Sequence, residues 1–96
     1  MMYGNVVSMN SRKMETTTKI LADHRRLEML ELLSKKPELS VAEVAKTLKL
    51  NFGNTSDHIN KLTAAGLVMK RHDSQFVRHK LTTRGQLILK YLKTLT

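Results

Sequence analysis

Apolar positions recur at helical spacing through most of the chain and give way to shorter β-prone runs after residue 66. Residues 12–33 show a helical pattern with a break at Asp23, whose carboxylate can cap the helix that follows. Pro37 disfavours a helical conformation at the residue before it, so residues 34–39 are predicted to connect two helices. The pattern therefore predicts two helices before this connection, the second with one apolar face formed by Leu27, Leu30 and Leu33.

Two further helices follow at close spacing. Ser40 and Glu43 form a capping box before a short helix that ends near Lys49. Asn51 is a good N-cap for the next helix, and Gly66 stands where a left-handed residue would close its last turn. This pair of helices is typical of a helix-turn-helix, with an ordinary helical hairpin as the alternative.

The helix after Asn51 is predicted to bury one face and present the other. If Thr55 lies at the centre of the buried face, the helical period places Ile59 and Leu62 beside it. The opposite face then carries Gly53, Asp57, Asn60 and Ala64, with Asn54, Ser56 and Lys61 at its flanks. Short polar side chains on an exposed helix allow a close approach to a partner such as a DNA groove.

Residues 67–81 read as a β-hairpin. Residues 67–71 and 76–81 are β-prone, and the polar residues 72–75 predict the tip. A hairpin directly after a helix-turn-helix is typical of a winged helix. Asp73 is the one carboxylate within the hairpin, whose four fixed cations favour phosphate contact over a merely solvated surface: Lys70, Arg71, Arg78 and Lys80.

The last helix begins after Thr82, a good N-cap, and carries a wide apolar stripe. Ile88, Tyr91, Leu92 and Leu95 form the stripe, and Leu87 and Leu89 widen it. Either the domain's own core or an equivalent helix of a second chain covers it, and its width favours a homodimer interface.

Composition narrows the classes of function. A formal net charge of +9 over 96 residues indicates a polyanionic partner, and nucleic acid is the leading class of such partners. No apolar run is long enough for a membrane span or a secretory signal, so we expect a cytoplasmic, nucleoid-associated protein. The chain has no cysteine, no glycine-rich phosphate loop and no paired carboxylates suited to acid–base catalysis, so we expect no enzyme.

The region 20–89 resembles the winged-helix repressors of the ArsR type, with the MarR type more distant. Residues 21–27 are similar to that family's Leu-Ala-Asp-x-x-Arg-Leu segment. Residues 56–68 look like its Ser-x-His-Leu-x-x-Leu-x-x-Ala-Gly-Leu-Val segment, and 81–85 resemble its Leu-Thr-x-x-Gly step. The resemblance implies a mainly α fold with a small β-hairpin wing. Residues 1–11 would be a flexible N-terminal arm, and 12–96 the winged helix-turn-helix domain with its terminal dimerisation helices.

The resemblance also implies which residues meet DNA. A recognition helix at about 52–65 would lie in the major groove and the basic wing at about 67–81 on the backbone. By position, Gly53, Asn54, Ser56 and Asp57 fall where that family touches DNA. The exposed helix face adds Asn60 to the expected base-reading residues. The expected backbone contacts, from the helix and the basic wing, are Asn51, Lys61, Lys70, Arg71, Arg78 and Lys80. Phe52 and Gly53 depart from the polar or proline residues common there, and Asp57 can either accept from a cytosine amino group or repel phosphates.

The family's metal sites transfer poorly to this chain. One needs cysteines on the helix at 39–44, and the other needs histidine and carboxylates along the last helix, where residues 83–96 have none. The four histidines, His24, His58, His72 and His79, lie on four different elements. We therefore expect no metal and no cofactor, and a capping, packing or phosphate-contacting role for each histidine.

Three functions remain open from the sequence. The first is a homodimeric, sequence-specific transcriptional regulator, most simply a repressor that occupies an inverted repeat. The second is a sequence-tolerant architectural protein, favoured by the charge and by the scarcity of long base-reading side chains near the exposed helix face. The third is a winged-helix module whose basic wing binds an acidic protein.

Overall fold

The computed structural model describes Lys19 and residues 23–95. The predicted arm at 1–11 and, apart from Lys19, the predicted helix before Asp23 lie outside the described residues.

Three helices come first, each with the N-cap that the sequence predicts. Helix α1 spans His24–Lys35 after Asp23, α2 spans Val41–Leu48 after Ser40, and α3 spans Phe52–Ala64 after Asn51. The carboxylate of Asp23 accepts from the amide of Arg25 at 2.8 Å, and Ser40 and Glu43 form the reciprocal capping box. Left-handed residues end two of these segments, Lys49 after α2 and Gly66 after α3.

A two-stranded antiparallel hairpin follows, formed by β1 (Val68–Asp73) and β2 (Phe76–Leu81). Its tip is tighter than predicted, because His72 and Asp73 pair with Val77 and Phe76 and leave only two residues in the turn. Ser74, the first of them, takes a left-handed conformation at φ 56°. The four-residue tip predicted from polarity was therefore wrong, because polar residues can extend a strand where the pairing continues.

The connection between α1 and α2 contacts β2 through a single isolated β-bridge. Leu39 forms an antiparallel bridge with His79, and the amide of Glu38 donates to the carbonyl of His79 at 2.8 Å. This pairing brings acidic residues of the connection next to the hairpin, which matters for the charges described below.

The last helix, α4, spans Thr83–Thr94 and is capped by Thr82. The Thr82 hydroxyl accepts from the amide of Gly85 and donates to the carbonyl of Gly66. Gly85 is buried so closely on Leu67 that a Cβ there would overlap the Leu67 carbonyl oxygen. The start of α4 is therefore tied to the chain just after α3.

One core joins all six elements. Its fully buried centre takes Met29, Leu30 and Leu33 from α1, Val44 from α2, Ile59 and Leu62 from α3, and Leu67 and Val68 from the start of the hairpin. Leu81 and Leu89 close it from β2 and α4. The winged helix-turn-helix predicted from the sequence is the observed fold of the described residues.

Candidate nucleic-acid interface

Helix α3 has one buried and one exposed face, as the sequence predicts. Thr55, Ile59 and Leu62 are completely buried, and the Thr55 hydroxyl donates to the carbonyl of Asn51 at 2.8 Å. Ser56 is half-buried at the edge between the faces. The residues exposed on the other side are Gly53, Asn54, Asp57, Asn60, Lys61 and Ala64. The helix therefore presents short polar side chains outside the described core.

The first turn of α3 exposes Phe52, which was not among the site residues predicted from the sequence. Phe52 is 58% exposed at the helix start, next to Gly53, which has no side chain. The carboxamide oxygen of Asn51 accepts from the amide of Asn54 at 3.1 Å and leaves the Asn54 side chain free to point outward. The signal for Phe52 in the sequence was an aromatic residue directly after the predicted N-cap, at the first position of the helix.

His58 anchors α3 to the start of α1. The Nε of Arg26 donates to Nδ1 of His58 at 3.1 Å, and a carboxylate oxygen of Asp23 lies 3.9 Å from the same nitrogen. These contacts give His58 a structural role in holding α3 against the start of α1. Arg26 was missed because its 32-residue separation from His58 leaves no local pattern.

The strand register divides the predicted wing cations between two faces of the hairpin. Lys70 pairs with His79 and lies on the face shared with core residues, whereas Arg71 pairs with Arg78 on the other face. The Lys70 side chain extends to α3, where its Nζ donates to Oδ1 of Asn60 at 3.1 Å. Lys70 is therefore the wing cation that lies directly beside the exposed face of α3.

Arg71 and Arg78 are held by carboxylates from three parts of the chain. Arg71 Nε donates to both carboxylate oxygens of Glu38 at 3.1 and 3.2 Å. Arg78 Nε donates to Asp73 at 3.0 Å, its guanidinium lies 3.8 Å from Glu43, and it stacks over the Phe76 ring at 5.5 Å. Glu38 and Glu43 thus balance part of the wing's positive charge, together with Asp73. The sequence could not show the contribution of Glu38 and Glu43, because these two residues lie outside the hairpin.

Lys80 takes a different position, at the base of the hairpin opposite Met69. Its side chain lines a groove between the hairpin, the end of α1 and α4. The structure thus places Lys70 beside Asn60 and joins Arg71 and Arg78 through acids, while Lys80 lies near the hairpin base on the face that carries both arginines.

Two titratable groups are perturbed close to the wing. Burial lowers the pKa of His79, although its Nδ1–H donates to the Leu39 carbonyl at 3.0 Å and opposes that shift. Hydrogen bonds from the backbone and hydroxyl of Ser40 lower the pKa of Glu43 and keep it ionised opposite Arg78. Burial thus favours the neutral form of His79, and the Ser40 hydrogen bonds favour the ionised form of Glu43.

The predicted apolar stripe on α4 is divided between the core and the surface. Ile88 and Leu92 are half-buried and Leu89 is buried, whereas Leu87, Tyr91 and Leu95 are 62–64% exposed relative to the described residues. The exposed apolar ridge of α4 therefore consists of Leu87, Tyr91 and Leu95. Leu87 was counted only as a widening residue, although its i, i+4, i+8 spacing with the other two was a visible signal.

Neither a membrane span nor a metal cluster is found in the described part of the chain. None of its helices combines the length and the apolar character that crossing a bilayer requires. Among residues 23–95 and Lys19, no three histidine or carboxylate side chains converge as a metal site.

Comparison with known proteins identifies the family to which this fold belongs. A family model described as "Bacterial regulatory protein, arsR family" matches residues 23–70, which is half of the chain. The chain belongs to the arsR family. The arsR match covers α1, α2, α3 and the first half of β1, so it includes the whole helix-turn-helix.

Individual arsR-family relatives agree with this assignment. The arsenic resistance transcriptional regulator ArsR1 of Pseudomonas putida is 36% identical over 63 residues, which cover 66% of this chain and 49% of that protein. The transcriptional activator HlyU of Vibrio cholerae is 36% identical over 74 residues, covering 77% of this chain and 68% of HlyU. The chain thus spans about half the length of ArsR1 and about two thirds of HlyU.

Solved structures show the same fold. Reduced HlyU from Vibrio cholerae N16961 superposes with a TM-score of 0.78 at 33% identity, covering 93% of this chain and 94% of that chain. A homodimeric winged helix-turn-helix DNA-binding domain, Mb0332 from Mycobacterium bovis, gives 0.83 at 21% identity over 93% and 82% of the two chains. At that identity, Mb0332 supports the fold alone.

Proposed function

We propose that this protein is a transcriptional regulator that binds a specific double-stranded DNA sequence as a homodimer. The observation that carries the proposal is the exposed polar face of α3, set opposite its buried face within a winged helix-turn-helix of the arsR family. In this motif, the N-terminal half of the second helix contacts base edges in the major groove.

The exposed residues of α3 have distinct roles in such a complex. Asn54, Ser56 and Asn60 supply short hydrogen-bonding groups for base edges, and Gly53 lets the helix backbone approach the groove. No described residue forms an ion pair with Asp57, so its carboxylate is available to accept from a cytosine amino group.

Backbone contacts come from the edge of α3 and from the wing. Lys61 is exposed at the edge of α3, Asn51 lies at its start, and Lys70 bridges from the wing to Asn60. Arg71 and Arg78 are held in place by carboxylates and can reach phosphates with their remaining N–H groups. We assign Lys80, at the hairpin base, a different role below.

Homodimerisation through α4 would repeat the recognition helix about one helical turn away, at ~34 Å. Ile88, Tyr91, Leu92 and Leu95 are the proposed interface, and the exposure of Leu87 adds it to that surface. ArsR1 and HlyU are named as a regulator and an activator, so the proposed occupancy can repress or activate transcription. Repression is the simplest outcome of occupancy alone.

Selection of bound duplexes from a random pool tests the proposal. We expect enrichment of a short inverted repeat, and a selected duplex should outcompete random duplex of equal length by at least 10³-fold, as for specific binding in general. Failure to enrich any sequence would overturn sequence-specific recognition.

Two matched variants separate base reading from charge. Asn54→Ala should reduce the preference for selected over random duplex by about 1–3 kcal/mol at the base pair it reads. Lys61→Ala should weaken binding to selected and random duplexes by equal factors. Equal effects from both variants would contradict the assignment of Asn54 to base reading.

The architectural alternative also has an observation in its favour. The exposed face of α3 carries no arginine; Lys61 lies on the helix and Lys70 contacts its Asn60. Arginine and lysine make the commonest specific base contacts, so a face without arginine suits sequence-tolerant binding. Equal affinity for selected and random duplexes in the competition described above is the result that favours it.

A further inference from the structure

The groove that contains Lys80 has the size of a small-molecule site. It encloses about 510 Å³ between the end of α1, the base of the hairpin and the first three turns of α4. Ligand pockets in proteins commonly range from ~300 to 1,000 Å³. The groove lies apart from the exposed face of α3, since none of its lining residues belongs to α3.

One side of the groove is apolar. Leu33, Leu81 and Leu89 are buried core residues that reach it from α1, β2 and α4, and Met69 contributes a 42% exposed side chain from β1. Leu33, Leu81 and Leu89 belong to one core cluster, so the apolar floor of the groove is the edge of the core. Such a floor favours a hydrocarbon body over a fully hydrated ion.

The rim of the groove is cationic. Its lining includes Lys80, Lys90 and Lys93 and no aspartate or glutamate. Lys93 is paired with Glu31 at 3.3 Å, but no described residue pairs with Lys80 or Lys90. Two ammonium groups with no counter-ion in the described structure therefore border the apolar floor.

The start of α4 adds backbone donors to the same rim. The Thr82 hydroxyl and carbonyl satisfy the amides of Gly85 and Gln86, while the amides of Thr83 and Arg84 have no acceptor among the described residues. The first amides of a helix, with its dipole, favour an anion. Thr83 lines the groove together with the lysines, so the first turn of α4 borders the same space.

We propose that this groove binds a small amphipathic carboxylate, with its anionic group at Lys80, Lys90 and the first turn of α4 and its hydrocarbon part on Leu33, Met69, Leu81 and Leu89. The combination of a cationic rim and an apolar floor decides the class of ligand: a bare anion leaves the floor unused, and an uncharged hydrocarbon leaves the lysines unpaired. The proposal does not depend on DNA binding.

Methyl NMR of the intact chain with labelled methionine tests the site, using decanoate as the probe. Met69 lines the groove and Met29 is fully buried in the core, so their methyl signals report binding and global fold separately. We expect decanoate to shift the Met69 signal saturably and to leave the Met29 signal in place. A decanoate titration without a saturable Met69 shift overturns the proposal.

Two further ligands test each half of the proposed chemistry. Decanol has the hydrocarbon tail without the charge, and inorganic phosphate has charge without the tail, so both should bind at least tenfold more weakly than decanoate. Equal binding of decanol would show a merely apolar groove. Equal binding of phosphate would show a bare anion site, and either result overturns the amphipathic assignment.

Lysine variants locate the anionic group. Lys90→Gln, on the exposed surface of α4, should weaken decanoate binding about tenfold, and Lys80→Gln should do the same. Lys46→Gln on α2 removes an equal charge away from the groove and should leave decanoate affinity within twofold. An unchanged affinity in Lys90→Gln, with the Met29 signal intact, contradicts the proposal.

Discussion

His79 shows how one buried residue links the wing to pH. Its ring is almost fully buried, and its Nδ1–H donates to the carbonyl of Leu39. The amide of His79 also donates to that carbonyl at 2.8 Å. The imidazole therefore joins the hairpin to the connection before α2, and it does so in the neutral form that burial favours.

Stability should fall as the pH drops below the ordinary histidine pKa of 6.5. The folded pKa of His79 is lowered, so between the unfolded and the folded pKa the unfolded chain binds more protons and the free energy of unfolding decreases with decreasing pH. Above the unfolded pKa, His79 is neutral in both the folded and the unfolded chain, so it no longer makes the free energy of unfolding depend on pH. Urea denaturation at several pH values between 5 and 7.5 measures the effect.

The His79→Gln variant is the control for this pH dependence. It removes the titrating group, so the variant's free energy of unfolding should change less with pH than that of the original protein over the same range. The lowered carboxyl pKa values of Asp23, Glu31 and Glu43 act in a more acidic range, because their ordinary values are 3.8 and 4.5. Parallel pH profiles in the two proteins would show that His79 does not carry the effect.

The N-cap residues, in contrast, could be predicted from the sequence. Asp23, Ser40, Asn51 and Thr82 all cap the helices predicted for them, because capping involves atoms only two or three residues apart. The contact between Arg26 and His58 spans 32 residues, and no local rule predicts it. The sequence therefore predicted where the helices begin, but not which side chains distant in the chain contact each other.

At the scale of elements, the hairpin combines two kinds of cation. Arg71 and Arg78 tie the hairpin to Glu38 and Glu43 and also pair with Asp73 inside it, so part of their charge is balanced within the protein. Lys70 has only the neutral amide of Asn60 as its partner among the described residues. Since an amide does not balance a charge, Lys70 carries more net charge toward a polyanion than either arginine does.

Lys70→Gln should therefore change the salt dependence of DNA binding. If Lys70 contacts one phosphate, its loss makes the slope of log affinity against log salt concentration less negative by about 0.9. Titrations of a fluorescent duplex at several salt concentrations measure this slope. Lys46→Gln on α2 provides the charge-matched comparison and should leave the slope unchanged, whereas equal slopes in all three proteins would exclude the Lys70 contact.

The junction between α3 and α4 is the second feature at this scale. The Thr82 hydroxyl and the close approach of Gly85 to Leu67 hold the start of α4 against the two residues that follow the end of α3, Gly66 and Leu67. The sequence predicted Thr82 as a cap, but the packing of Gly85 required the tertiary structure.

At the scale of the whole molecule, the exposed ridge on α4 is the surface on which a second copy would fit. Leu87, Tyr91 and Leu95 form it, while Leu92, within the predicted stripe, is half-buried against its own domain. A charge at Leu87 should therefore disrupt association with less damage to the monomer than a charge at Leu92.

Leu87→Glu should convert a dimer into a folded monomer, because burying an unpaired carboxylate between two subunits costs several kcal/mol. Sedimentation equilibrium measures the mass, and circular dichroism confirms that the helices remain. Gln86→Glu, one residue earlier and on the groove side of α4, introduces the same group and should leave the mass unchanged. A Leu87→Glu protein that stays dimeric would show that the interface lies elsewhere.

The pattern along the chain by itself determined the element order, the helix caps and the two faces of α3, because all of these depend on spacing within a few residues. Only the tertiary structure decided which charges meet, since the bridge between Leu39 and His79 brings Glu38 and Glu43 to the wing arginines. It also decided that Lys80 borders a groove and that Leu92 is half-buried while Leu87 is exposed. Side chains far apart in the chain meet only after packing, and packing sets the electrostatics of this surface.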